Sequence, residues 1–230
     1  DAIKSVAAKN GLPVVEDAAG SLFSSLNGRY LGGLTEVGCI SFNGNKIITG
    51  GSGGLLLTNN EAIYEKCKLH AANSTSSAYY SHVAGSNRLM ANVCAAIALA
   101  QFSRKKELLQ KKKVIFDTYN KYLLANGFFD RKIEYEQGFV SNNWMYYVRI
   151  EETIDAQEIV LFFEKHKIQV RSFWRSLPDE SAYLDYPCYG KLNAEKIAKR
   201  FLCLPCGASL LEEDQHRVIK LLSEFGSRYV

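Results

Sequence analysis

Apolar positions Ile3, Val6 and Ala7 fall at helical spacing in the first ten residues, and Gly11 supplies a stop. The run Pro13-Val14-Val15-Glu16-Asp17 then predicts a short buried strand ending in acid. A crossover helix needs a strand on both sides, and here the first is missing. The chain also starts on Asp1 rather than Met. It is therefore expected to be the later part of a longer protein, or one product of a split or trimmed one.

From Gly38 to Thr58 the pattern turns to strands. Cys39-Ile40-Ser41-Phe42 alternates and Leu55-Leu56-Leu57-Thr58 forms a second run, with Gly50-Gly51-Ser52-Gly53-Gly54 between them. Residues 60–70 read as a helix and 71–86 as a polar loop. A single helical stretch follows from Asn92 to Leu124, long enough to bridge two lobes. Trp144 to Ile150 predicts a strand. Asp155 with Glu158 resembles a capping box opening a helix through Lys167. Ile168 to Trp174 reads as another strand, Asn193 as the cap of a short helix ending near Leu202, and Ser209 with Glu212 as the start of a last helix that Gly226 stops. The class is α/β: a first lobe over residues 1–105 and a smaller α+β lobe over 106–230.

Composition adds limits. The 230 residues are 47% hydrophobic and 23% charged, ordinary for a globular protein. No apolar run approaches the ~20 residues of a membrane-spanning helix, and no basic-then-apolar leader opens the sequence. The expected compartment is the cytoplasm, with no membrane partner. The net charge of +4 is mild. Its most basic stretch, Arg104 to Lys113, lacks the interleaved aromatics of a nucleic-acid surface and reads as a solvated helix face. Six cysteines are scattered through a chain too long to need disulfides. Cys203-Leu-Pro-Cys206 has redox spacing, but it comes late and after a predicted helix, so both are read as buried or half-buried thiols. No metal-ligand spacing links His70 and His82. Trp144 and Trp174 read as packing.

Two residues carry candidate chemistry. Asp17 ends a strand where open α/β sheets place ligands, although acidic strand ends are as often caps. Lys46 follows Gly44 and precedes the glycine run, in a loop whose backbone can approach a ligand. Burial can lower a lysine's pKa and free its amine to bond a carbonyl. The glycine run is not a Walker loop, because Lys46 precedes it, and Gly51-Ser-Gly53-Gly-Leu-Leu56 lacks the last glycine of the dinucleotide fingerprint. From residue types alone, Lys46 is either a functional amine or a turn lysine.

The block Glu16-Asp17-Ala18-Ala19, then Gly38-Cys-Ile-Ser41-Phe-Asn-Gly-Asn-Lys46-Ile-Ile-Thr-Gly-Gly-Ser-Gly-Gly54, resembles the DegT/DnrJ/EryC1/StrS family. The wording around Lys46 is closest to members that aminate C4 of UDP-linked 4-keto-6-deoxy sugars. The likeness continues at Ala95 to Gln101, Val170-Arg171-Ser-Phe-Trp174-Arg175, Leu202 to Gly207 and Glu213-Asp214-Gln215, covering nearly the whole chain. It implies a fold type I pyridoxal-phosphate-dependent transferase: residues 1–105 as the C-terminal part of the large cofactor-binding domain and 106–230 as the small domain. It also implies amination of a nucleotide-linked keto-sugar, with glutamate as amino donor.

By the same resemblance Lys46 bonds pyridoxal 5'-phosphate and Asp17 pairs with its ring nitrogen. Ser41 contacts the phosphate, and Asn87 reaches a phosphate across a homodimer. Arg171 is a candidate for holding substrate phosphate or for a structural ion pair. A separate N-terminal segment is a further candidate partner. Three positions depart from the family pattern: Gly20 stands where Glu, Gln or His is usual, Asn87-Arg88-Leu89 replaces Asn-Tyr-Arg, and Pro178 replaces a histidine. Two rival readings stay open at this stage: a truncated, non-catalytic partner subunit, and a nucleotide-binding domain built on the glycine run.

Overall fold

The computed structural model describes residues 1–73, 84–123, 129–130 and 135–229. His82 and most of the loop expected over 71–86 lie outside them, as does Leu124. The described residues form two compact units, Asp1–Leu109 with Tyr135–Trp144, and what is described of Gln110–Glu134 with Met145–Val230. The units follow contact rather than chain order, since residues 135–144, beyond the 105/106 division, return to the first.

In the first unit, helix α1 (Ala2–Lys9) ends before Gly11, whose φ of +62° turns the chain. Strand β1 (Val15–Asp17) lies parallel to β4 (Val37–Ser41), and β4 is antiparallel to β5 (Gly54–Leu57), giving the order β1-β4-β5. A second small sheet joins β2 (Ser25–Leu26) to β3 (Arg29–Tyr30) and to β7 (Phe139–Val140). The strand expected at 13–17 exists, but it is not buried: Val15 is 63% exposed, because among the described residues β1 is an edge strand with a single neighbour. Glu16 ties it to the following loop, its carboxylate accepting from the Gly32 and Leu34 amides at 2.7 and 3.0 Å. Helix α2 (Glu61–Ala71) is capped by Asn60, whose side chain accepts from the Ile63 amide.

The long helix expected from Asn92 is two helices, α3 (Asn92–Ser103) and α4 (Lys105–Leu123). They break at Arg104, where φ is −94° and ψ 12°. Its guanidinium pairs twice with Glu107, at 2.9 and 2.8 Å. The core of this unit packs Ala18, Ile40, Phe42, Ile48 and Ala98 against Leu22, Phe23, Ile47 and Met90.

The second unit is built on an antiparallel sheet in the order β6 (Phe129–Asp130), β8 (Tyr146–Ile150), β10 (Phe201–Leu204) and β9 (Arg171–Ser172). Alternation along β8 buries Tyr146, Val148 and Ile150. These meet the apolar sides of α4, α5 (Ala156–Lys165) and α7 (Glu212–Gly226) in one core that includes Phe116, Ile159, Phe163, Leu222 and Phe225. Asp155 caps α5 as expected, accepting from the Gln157 amide, and the helix ends at Lys165, short of Lys167.

Three boundary expectations are corrected here. Asn193 is not a cap: α6 (Lys191–Arg200) starts after Gly190, whose φ is +71°, and Asn193 lies inside it. Phe201 and Leu202, expected to end that helix, belong with Cys203 and Leu204 to the inner strand β10. Ser209 does not cap α7, which starts after Leu211 with no side-chain cap and instead carries Glu212, Glu213 and Asp214 in its first turn, where acids favour the helix dipole.

The basic stretch also departs from expectation, because Lys112 is buried at 3% exposure. Its ammonium donates to the carbonyl of Cys206, and burial pulls its pKa below the ordinary lysine value, opposed by Cys206. Beside it the Tyr119 hydroxyl donates to the Pro205 carbonyl at 2.8 Å, and the Tyr146 amide to Cys206 Sγ at 3.3 Å. Pro205 and Cys206, which follow β10, are thus held by three hydrogen bonds. Among the described residues no helix is long and apolar enough to cross a membrane.

Candidate functional site

Parallel pairing of β1 with β4 brings their C-terminal ends together, with Asp17 opposite Cys39 in register and Ser41 closing β4. That is the edge where open α/β sheets carry ligands. The chain then runs through residues 42–53 before β5 returns along β4. This loop is bonded to itself. The Phe42 amide donates to the Gly53 carbonyl and the Gly50 amide to the Phe42 carbonyl, while the Lys46 amide closes a turn on the Asn43 carbonyl at 3.0 Å. Thr49 accepts from the Gly51 amide and donates to the Phe42 carbonyl.

The glycine run serves close packing. A Cβ on Gly50 would lie 2.6 Å from the Cys94 carbonyl oxygen on α3, and one on Gly54 would lie 2.3 Å from the Ile40 carbonyl oxygen. The Thr49 amide also donates to Gln101 of α3 at 3.0 Å. The loop is pressed onto the helix at Thr49 and Gly50.

Lys46 lines a small open cavity at this corner of the fold with Ala19, Gly20, Leu22, Ser41, Ile47, Asn142 and Trp144. Burial lowers the Lys46 pKa, and the Asp17 carboxylate acts in the opposite direction, so the two groups lie within electrostatic reach. Asp17 Oδ1 accepts from the Ala19 amide at 3.0 Å, and Ser41 Oγ from the Asn43 amide at 3.2 Å.

Trp144, expected to be packing, stands in this corner. The Lys46 ammonium lies 3.8 Å from the centre of its ring, and the indole Nε1–H donates to the carbonyl of Asn45 at 2.8 Å. Asn142, at 6% exposure, holds the segment: its Nδ2 donates to the Gly20 and Leu22 carbonyls, both at 2.9 Å, and its Oδ1 accepts from the Trp144 amide at 3.0 Å. Nothing in the local sequence marked these two residues, since both reach the site through contacts more than ninety positions apart.

The structure therefore brings Asp17, Ser41 and Lys46 together. Asn87 lies elsewhere in the first unit, bridged to Ala72, and Arg171 belongs to β9 of the second. Cys203 is buried and Cys206 half-buried, and both are free thiols. Burial pushes the Cys203 pKa up to about 11, the opposite of what a redox thiol needs. Among the described residues no group of acids, histidines and cysteines is placed to hold a metal.

Comparison with known proteins gives a consistent result. The profile of the DegT/DnrJ/EryC1/StrS aminotransferase family matches residues 1–223. EpsN of Bacillus subtilis (strain 168), assigned as a pyridoxal phosphate-dependent aminotransferase, is 34% identical over 96% of this chain and 58% of its own length. A GDP-perosamine synthase of Escherichia coli O157:H7 is 29% identical over 98% of this chain and 61% of its own. Among solved structures, the aminotransferase TlmJ from Streptoalloteichus hindustanus superposes with a TM-score of 0.91 at 24% identity, covering all of this chain and 63% of that one. The chain thus spans about 60% of the length of the relatives it matches, and the fold is theirs.

Proposed function

The chain belongs to the DegT/DnrJ/EryC1/StrS aminotransferase family, and from that premise we propose that it is part of a pyridoxal-phosphate-dependent aminotransferase acting on a nucleotide-linked keto-sugar in the cytoplasm. Residues 1–105 are the later part of the large cofactor-binding domain and 106–230 the small domain. The observation that carries the reading is Lys46: a half-buried amine of lowered basicity, in reach of the Asp17 carboxylate and beside the Ser41 hydroxyl, at the ligand end of a parallel strand pair.

This donor set fits pyridoxal phosphate. Lys46 offers an amine to its aldehyde, Asp17 a carboxylate to its ring nitrogen, and Ser41 a hydroxyl to its phosphate. Asn87 adds an amide to the phosphate site of a neighbouring subunit. When bound, the cofactor supplies an aldehyde that takes up amino groups and a ring that stores an electron pair. Asp17 keeps the ring nitrogen protonated, because an adjacent carboxylate favours the positive form. In a site so loaded, Lys46 would serve as the base and then the acid that moves a proton at the substrate's amino carbon. Its lowered pKa raises the share of neutral amine available for that task. Arg171 binds an anionic group of the substrate.

Nucleotide-sugar substrates are supported by the GDP-perosamine synthase relative, and glutamate is the proposed donor. The six free cysteines suit a reducing compartment. Exposed apolar side chains on α1 and β1, and on α3 where Val93 and Leu99 face outward, support cover by other chains: a second copy and an N-terminal segment. The test is to offer UDP-, dTDP- and GDP-linked 4-keto-6-deoxy sugars with glutamate and to follow the amino sugar by mass spectrometry. Product is expected with the native chain and absent with Lys46→Ala. Equal product from both would overturn the reading.

A second reading, a non-catalytic partner subunit, draws on Gly20, which leaves no polar side chain at that position. Turnover by the chain would end it.

A further inference from the structure

Gly20 is unusual in what excludes a side chain from it. Its φ is outside the left-handed region, so its conformation does not require glycine. Space does. A Cβ there would lie 2.6 and 2.7 Å from Cζ3 and Cε3 of Trp144, closer than carbon atoms approach. The other side of that indole serves Lys46. Its Nε1–H holds the carbonyl of Asn45, the residue just before the lysine, and its ring lies 3.8 Å from the lysine's ammonium. One side chain therefore fixes both the backbone entering Lys46 and the amine that leaves it. Asn142 completes the arrangement by bonding the Trp144 amide and the Gly20 carbonyl with one amide group.

We propose that Trp144 is a positioning residue for Lys46, its indole face seating the ammonium group, and that Gly20 is glycine because the ring occupies the volume of a side chain at that position. Tryptophan is the best aromatic for a cation, and 3.8 Å is well inside the ~6 Å over which the attraction acts. A lysine left to itself samples many rotamers, so a two-point hold keeps the amine at the cavity mouth beside Ser41. The Asp17 carboxylate, the charged group that acts on this amine, favours the same protonated state as the ring. The proposal deepens the reading of Lys46 given above, and it can be tested without any cofactor.

The experiment measures the rate at which Lys46 takes up an amine-reactive label across pH 7 to 11, by peptide mass, in the chain free of cofactor. Trp144→Leu keeps an apolar neighbour but removes the ring. At pH values below the amine's pKa the neutral-amine fraction should rise about two- to fivefold, the size expected of a cation–ring contact at a partly exposed site. Trp144→Phe should restore most of the native profile. In a Trp174→Phe background, where Trp144 is the only tryptophan, Gly20→Gln should shift its emission. Adding Trp144→Ala to Gly20→Gln should cost less stability than the two single changes summed. Superimposable labelling profiles for Trp144→Leu and the native chain would overturn the proposal. Unchanged emission in Gly20→Gln would do the same for the glycine. A chain that labels as expected but never takes up pyridoxal phosphate would sink the function and leave the seat standing.

Discussion

Replacing Asn142 by aspartate changes one NH₂ group into an oxygen and should unfold the corner of the molecule that holds Lys46. The native amide donates to two carbonyls, Gly20 and Leu22, and accepts from the Trp144 amide, so its orientation is fixed by three partners. Aspartate keeps the acceptor and loses both donors. Two carbonyls are then left facing a carboxylate, and an unsatisfied buried group costs about 1–3 kcal/mol. Burial of the new charge adds to this, so the total loss at pH 7 is about 3–5 kcal/mol, a large part of a typical ~5–15 kcal/mol stability. The penalty has a pH signature. Burial against carbonyls raises the folded pKa of the new carboxyl above its unfolded value near ~3.9. The folded state then holds the proton more tightly, so the variant's deficit should shrink as pH falls from 7 towards 4.5. Urea unfolding followed by tryptophan emission at both pH values measures this. A variant that matches the native midpoint at pH 7, or whose deficit stays constant with pH, refutes the role assigned to Asn142.

Lys112→Ala should destabilise the second unit by about 2–4 kcal/mol, through a cavity and the donor lost from the Cys206 carbonyl. Because burial lowers the Lys112 pKa, the unfolded chain holds its proton more tightly between that lowered value and 10.5. The native advantage over the variant should therefore widen towards pH 10 in urea titrations. Iodoacetamide at pH 7.5 should label exposed Cys188 well before buried Cys203, whose pKa stands at about 11. Equal rates by peptide mass would contradict the burial described for β10.

Local pattern made some elements legible and missed others for identifiable reasons. Helices α1 and α2 and strands β4 and β5 followed from spacing, because each is bounded by glycine or a polar cap. The break at Arg104 did not, since neither glycine nor proline marks it and the turn is stabilised by a side-chain pair with Glu107. The first half of β10 reads as the end of the preceding helix because Phe201–Leu204 is a continuous apolar run, with no alternation to separate strand from buried helix. Lys112 reads as solvated among lysines, and nothing local to it signals its hydrogen bond to Cys206, 94 residues later. At the site, Asp17, Ser41 and Lys46 lie in one sequence block that one sheet edge gathers. Trp144 and Asn142 come from a distant strand of sequence, and no local signal distinguishes a site tryptophan from a core one.

The most direct test of the account is covalent. The chain is incubated with pyridoxal phosphate, reduced with borohydride, digested and mapped by mass. The phosphopyridoxyl group should be found on the peptide containing Lys46 and should be lost from that peptide's counterpart in Lys46→Ala, with no comparable label elsewhere. Label spread over exposed lysines, at a level the substitution leaves unchanged, would contradict the assignment of Lys46 and with it the proposed reaction.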